Sequence, residues 1–293
     1  MEFFAAERPA AGSRTFRLVL DAVRVEITGL DDARAGELVL RYKPYGALAS
    51  EPEAGALRVE VGLEDRDYFI EPTGSPESNP VFLAVEGERV RYLAYKVAGW
   101  FDTRGGSGRL LLARGDYEPD HNSFENYIRA AVAWRAAELG GALVHAASAV
   151  RHGRGYLFYG ESGAGKSTLA ASTHLATVVS DDLSLVLPGE GGGLVLVGAP
   201  FRGTYEAGDP VQGSFPLAAG FRLVKASEPD VRLVPRSRAM AELVGNLPFV
   251  AEAFPGRPDL LEKIENAFRS VPLAHLHFRR DDSYWDAIDR AGL

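Results

Sequence analysis

Between Thr15 and about Arg114 apolar and polar residues alternate in short runs: Phe16–Leu20, Val23–Ile27, Leu38–Tyr42, Leu57–Val61 and Val90–Tyr95. A period of two sends successive side chains to opposite faces, so these runs predict strands, several with one face in water. Gly105–Gly108 predicts a hairpin turn into a further strand, Arg109–Ala113. The segment Pro72–Pro80, rich in Pro, Gly, Ser and Asn, predicts one exposed loop. The expectation is a small β-rich domain over residues 1–119. It carries no catalytic constellation and is a candidate for substrate recognition.

The period changes after the polar stretch Asp116–Asn122. Ser123 can cap a helix from Phe124 to Leu139, in which Tyr127, Ile128, Ala131, Val132, Trp134 and Ala137 recur at helical spacing, and Gly140-Gly141 ends it. The domain boundary is therefore set near Pro119, with a second domain over 120–293. That domain is expected to run strand (Ala142–Val150), turn (Arg151–Gly155), strand (Gly155–Tyr159), a glycine-rich loop, and a helix from Thr168. A strand, Thr177–Ser180, then leads to a hairpin of Leu183–Leu187 and Leu194–Val197 around the turn Pro188–Gly193.

The glycine-rich loop carries the chemistry. Gly160-Glu161-Ser162-Gly163-Ala164-Gly165-Lys166-Ser167-Thr168 fits the P-loop (Walker A) pattern G-x-x-x-x-G-K-[ST], and it stands between a predicted strand and a predicted helix as that motif requires. Glycines let consecutive backbone N–H groups turn inward around phosphate oxygens, and the helix start adds its positive end. All nine residues are thus expected to contact a nucleotide, with Lys166 bridging the outer phosphates and Ser167 ligating Mg²⁺. A glycine-rich turn that binds nothing is the alternative. Asp181-Asp182, after the strand Thr177–Ser180, stand where a metal-holding carboxylate belongs, and the second carboxylate is available to take a proton from an attacking hydroxyl. Two solvated turn aspartates are the competing reading. His145, 15 residues before Gly160, lies in an apolar strand and is either a satisfied core residue or within reach of the metal and phosphates. His275 and His277 share one strand face without a third ligand nearby, and in Arg279-Arg280-Asp281-Asp282 the local charge cancels.

Composition narrows the partners. The chain has 293 residues, 46% of them hydrophobic, which is ample for sizeable cores. A net charge of −8 and a pI near 5.4 give no general attraction toward nucleic acid or an anionic membrane. The absence of cysteine removes disulfides, thiolate zinc sites and cysteine nucleophiles. Met1–Arg8 lacks the basic start and apolar stretch of a secretory signal, so a cytoplasmic location is expected, in keeping with a need for ATP. Oligomeric state is left open, a homo-oligomer included.

Leu143–Val150, Gly155–Thr168 and Val179–Asp182 together resemble the catalytic domain of HPr kinase/phosphorylase and its stand-alone relatives, which share a phosphate-loop fold with ATP-dependent phosphoenolpyruvate carboxykinase. The resemblance covers Gly140–Gly203 and, more faintly, Val271–Arg279 with Tyr284-Trp285. It implies an α/β (α+β) P-loop kinase domain preceded by the β-rich domain, with ATP and Mg²⁺ as cofactors. It implies further that Asp181 is the general base for a serine of a protein or peptide, that Asp182, Ser167 and His145 form the metal environment, and that Lys166 neutralises the transferred phosphoryl group. The family carries Glu-x-Arg-Gly downstream, whereas this chain has Pro200-Phe-Arg-Gly203. Arg202 is retained as a phosphate contact, but the missing glutamate argues against HPr itself as substrate and against the reverse reaction. A small-molecule kinase and a non-catalytic ATP-binding regulator are the rival functions. Neither a Leu-Ser-Gly-Gly-Gln transporter signature nor the Asn-Lys-x-Asp of guanine-selective GTPases occurs.

Overall fold

The computed structural model describes residues 8–72, 80–116, 119–203 and 208–293. Residues 73–79 of the expected Pro72–Pro80 loop, the first seven residues, and Tyr117 and Glu118 of the expected boundary segment lie outside the described residues. The chain divides into two compact units between Arg135 and Ala136.

In the first unit, β1 (Arg14–Leu20) and β2 (Val23–Leu30) form a hairpin, and α1 (Asp32–Tyr42) follows. Then come β3 (Gly46–Ala49), β4 (Leu57–Leu63), β5 (Phe82–Glu86), β6 (Arg89–Leu93), β7 (Val97–Asp102) and β8 (Ser107–Leu112). They make one eight-stranded sheet in the order β3-β1-β2-β4-β8-β7-β6-β5. The pattern predicted a strand over Leu38–Tyr42, and the structure has the last turns of α1 there. The five-residue window concealed what surrounds it. Asp31 accepts from the Arg34 N–H at 2.8 Å as a helix cap, and the buried residues Ala35, Leu38 and Tyr42 fall at i, i+3 and i+7. The helix α2 (Asp120–Glu138) contains the division between the units.

The second unit begins with β9 (Ala142–Arg151) and β10 (Arg154–Tyr159), followed by α3 (Lys166–Ser172), β11 (Thr177–Ser180), β12 (Leu183–Pro188) and β13 (Leu194–Val197). The long strand β14 (Ser214–Lys225), β15 (Asp230–Leu233), α4 (Arg236–Val244), α5 (Pro258–Ala267), β16 (Leu273–Phe278) and α6 (Ser283–Arg290) complete it. Strand order runs β10-β9-β12-β13-β14-β16-β15, and β10 also pairs with β14 in parallel, so β10, β9, β12, β13 and β14 close into a five-stranded ring. One face of β9, β10, β14 and β16 is covered by α3 and α6 through a core that includes Phe158, Phe221, Leu169, Tyr284 and Trp285. The Phe158 ring lies 5.9 Å from Phe221 and 5.8 Å from Trp285, centroid to centroid. Arg151 sits over Trp285 at 5.0 Å while holding Asp289 with two hydrogen bonds of 2.6 and 2.9 Å, which anchors α6.

This architecture overturns the expected α/β kinase domain. Strand accounts for 37% of the described residues and helix for 26%, and the second unit is built on a closed ring of strands instead of a P-loop α/β kinase fold. The physical reason is connectivity. The predicted strand-loop-helix step is present at β10 and α3, but β9 to β10 and β12 to β13 are antiparallel hairpins, which need no crossover helix. A single strand-loop-helix step does not dictate how the other strands are joined. Among the described residues no helix is long and apolar enough to cross a membrane.

Candidate functional site

The strand β9 gathers the site. Its Ala146 pairs with Tyr159, the last residue of β10, and its His145 pairs with Leu183, the first residue of β12. The loop that leaves β10 at Gly160 and the aspartates that precede β12 therefore emerge on either side of His145, at one end of the same strand. In phosphate-loop proteins the metal-holding carboxylate usually ends a strand beside the loop's own. The structure instead inserts β9 between them, because β11 pairs with β9 and not with β10.

At this end lies a cavity of about 550 Å³. His145, Ser162, Gly163, Gly165, Lys166, Ser167, Thr168, Asp181 and Asp182 line it, together with Gly203 and Lys225. Four residues expected at the site do not line it. Gly160 acts through its carbonyl, which accepts from Lys166 Nζ at 2.9 Å; Ala164 closes a turn onto the Glu161 carbonyl at 3.0 Å; and the Glu161 carboxylate meets Arg222 at 3.4 Å. Arg202 is directed to backbone, with its guanidinium donating to the carbonyls of Val179, Gly208 and Asp209 at 3.4, 3.1 and 2.8 Å.

The loop's shape follows from its glycines. Gly165 has φ of 111°, in the region L-residues avoid, and a Cβ there would come within 2.6 Å of the Phe278 ring. The helix that follows has only seven residues, so its dipole contributes little positive potential at this end of the cavity.

Lys166 is buried, and its pKa is lowered by burial against an upward pull from Asp182. His145 also titrates low: burial and the nearby Lys166 outweigh Asp182, whose Oδ1 lies 3.5 Å from Nε2. The imidazole is therefore neutral near pH 7, and its contact with Asp182 is not an ion pair there. Asp181 is 2% exposed, and its Oδ1 accepts from the Gly203 N–H at 2.7 Å. Asp182 is half-buried, and its N–H donates to Ser180 Oγ, which in turn donates to the Phe201 carbonyl. The neighbouring carboxylates thus have different surroundings.

Among the described residues no group of three or more His, Cys, Asp or Glu side chains could hold a metal. The donor set of Ser167 and Asp182 on one cavity wall fits Mg²⁺, which takes one or two protein oxygens and completes its shell with water and phosphate. Two lining residues were not singled out from sequence. Gly203 stands in the Pro200–Gly203 stretch only as a neighbour of Arg202, and Lys225 ends a strand with no motif around it. His275, buried, is bonded to Glu242 at 2.7 Å, in keeping with a structural histidine.

No curated protein matches the chain. The profile of the family described as SynChlorMet cassette protein ScmC matches residues 125–291. That match overturns the resemblance to HPr kinase/phosphorylase, which rested on a loop, a histidine and an aspartate pair, a local constellation that does not identify a family. With more than half of its residues matched, the chain belongs to the SynChlorMet cassette protein ScmC family.

Proposed function

We propose that the second unit is a Mg²⁺- and ATP-dependent kinase that transfers the γ-phosphoryl group to an alcohol, with a serine of a protein or peptide as the first acceptor to test. The reaction belongs to a compartment that supplies ATP, and we assign it to the cytoplasm. The observation that carries the reading is the pairing of a phosphate-type loop with two unlike aspartates on the wall of one cavity. Nucleotide binding alone calls for one metal-holding carboxylate, and the second is explained by proton transfer.

In this reading the loop N–H groups and Lys166 hold the phosphates. Asp181, fixed by the Gly203 N–H, accepts the proton of the acceptor hydroxyl. The acceptor oxygen bonds to the γ-phosphorus as the bond to the β-phosphate oxygen breaks, leaving ADP and the phosphate ester. Mg²⁺, held by Ser167 and Asp182, would supply neutralisation of phosphate charge. Neutral His145 orients the Asp182 carboxylate.

Asparagine variants of the two aspartates test the assignment. Asp181→Asn keeps size and hydrogen bonding but cannot take a proton, so binding of a non-hydrolysable ATP analogue with Mg²⁺ should persist while transfer falls by roughly 10²–10⁴. Asp182→Asn should weaken Mg²⁺-dependent binding, read by isothermal titration. If both variants bind and transfer like wild type, the proposal fails. Nucleotide binding with no transfer to any alcohol would instead favour a regulator.

A further inference from the structure

The cavity carries two lysines, and only Lys166 belongs to the loop motif. The other, Lys225, is brought there by β14. This strand runs parallel to β10, with Phe158 beside Phe221 and Tyr159 beside Arg222. Three residues beyond that last pair stand Ser162 in the loop and Lys225 at the strand's end, both on the cavity wall. On its other side Lys225 pairs with Phe278, whose ring fills the space beside Gly165. Lys225 is thus flanked by the loop on one side and by the residue that supports the loop on the other.

β14 offers one other basic side chain near the loop, and it is engaged. Arg222 lies 3.4 Å from Glu161 and 3.8 Å from Glu242. Lys225 has no ion-pair or side-chain hydrogen-bond partner among the described residues, and it is exposed. A flexible ammonium on a cavity wall that also carries Lys166 suits an anion with more than one phosphate.

Resting on the nucleotide-binding reading above, we propose that Lys225 is a second phosphate-holding cation of this site, and that with Lys166 it makes the cavity selective for a nucleoside triphosphate over a monophosphate. A single lysine cannot contact every phosphate of a triphosphate chain. Two lysines supplied by adjacent parallel strands, one through the loop and one directly, share that charge.

The test compares the full-length chain with Lys225→Met, Lys225→Arg and Lys166→Ala. Binding of the β,γ-imido analogue of ATP, ADP and AMP is measured by isothermal titration with Mg²⁺. Lys225→Met should weaken the triphosphate analogue by about tenfold, the effect of losing one charge-assisted hydrogen bond, and weaken AMP little. Lys225→Arg should retain most of the affinity. Circular dichroism of Lys225→Met should match wild type, since the side chain is exposed. If Lys166→Ala loses the triphosphate analogue while Lys225→Met binds it as wild type does, or if Lys225→Met weakens all three nucleotides equally, the role of Lys225 is overturned and the nucleotide site stands. If wild type binds none of the three, the nucleotide reading itself is overturned, and this inference with it.

Discussion

Gly203 shows how much a residue without a functional side chain can decide. Its N–H holds Asp181 at 2.7 Å, and a Cβ at this position would lie 3.0 Å from Asp182 Cβ and 3.1 Å from Asp181 Oδ2. Both aspartates would have to move by a few tenths of an ångström, and catalytic geometry tolerates such shifts poorly. If the proposed phosphoryl transfer holds, Gly203→Ala should lower it by on the order of tenfold or more while thermal unfolding changes little. Equal rates for the variant and wild type would show that the aspartates need no such fixing. At this scale the sequence was legible where chemistry dictates spacing. Lys166, Ser167, Asp181, Asp182 and His145 were all singled out and all line the cavity. Arg202 was carried by a family motif and is used on backbone carbonyls, while Gly203 and Lys225 arrive by tertiary register, which no local pattern records.

The elements that aim these residues were read unevenly. Strands β9 and β10, helix α2 and the β12–β13 hairpin follow from periodicity and turn chemistry, because each carries its signal within its own length. Over Leu38–Tyr42 the five residues LVLRY fit a period of two, and only the wider segment that includes the Asp31 cap discloses the helix. Ring closure through β10 and β14 joins residues about 60 positions apart in sequence, beyond the reach of any motif, so local pattern does not reveal the fold class. β10 carries the loop, so its packing is a direct handle on the site. Phe158 is fully buried against Phe221, Tyr284 and Trp285. Phe158→Ala should cost about 3–5 kcal/mol, from lost burial and the cavity left behind. Urea unfolding would show it as a lower midpoint with an unchanged slope. A loss below about 1 kcal/mol would mean that β10 is not held by this cluster.

For the whole molecule, pH acts through histidines that fold into surroundings hostile to their charge. Burial lowers the pKa of His277, Arg232 and His275 lower it further, and Asp230 only partly opposes them. The folded chain then binds that proton less readily than the unfolded chain does. Below the ordinary histidine pKa of about 6.5 the unfolded state holds more protons, so stability falls as pH drops through this range and the loss is complete below the depressed folded value. His145 is shifted in the same direction. His277→Gln should lessen, without abolishing, the fall in Tm between pH 7 and pH 5, and identical slopes in the two proteins would refute the shift. The closed ring also has two functionally unlike ends. β12 starts beside the aspartates and finishes, roughly 20 Å away at about 3.3 Å per residue, in the exposed glycine turn Gly189–Gly193. An epitope or fluorophore inserted between Gly191 and Gly192 would meet open space, since neither glycine has a neighbour within 4 Å of a built Cβ, and loop insertions there add little entropy cost. That turn is therefore a handle on the second unit at the end of β12 away from the cavity, and a label placed there leaves the cavity-lining residues untouched.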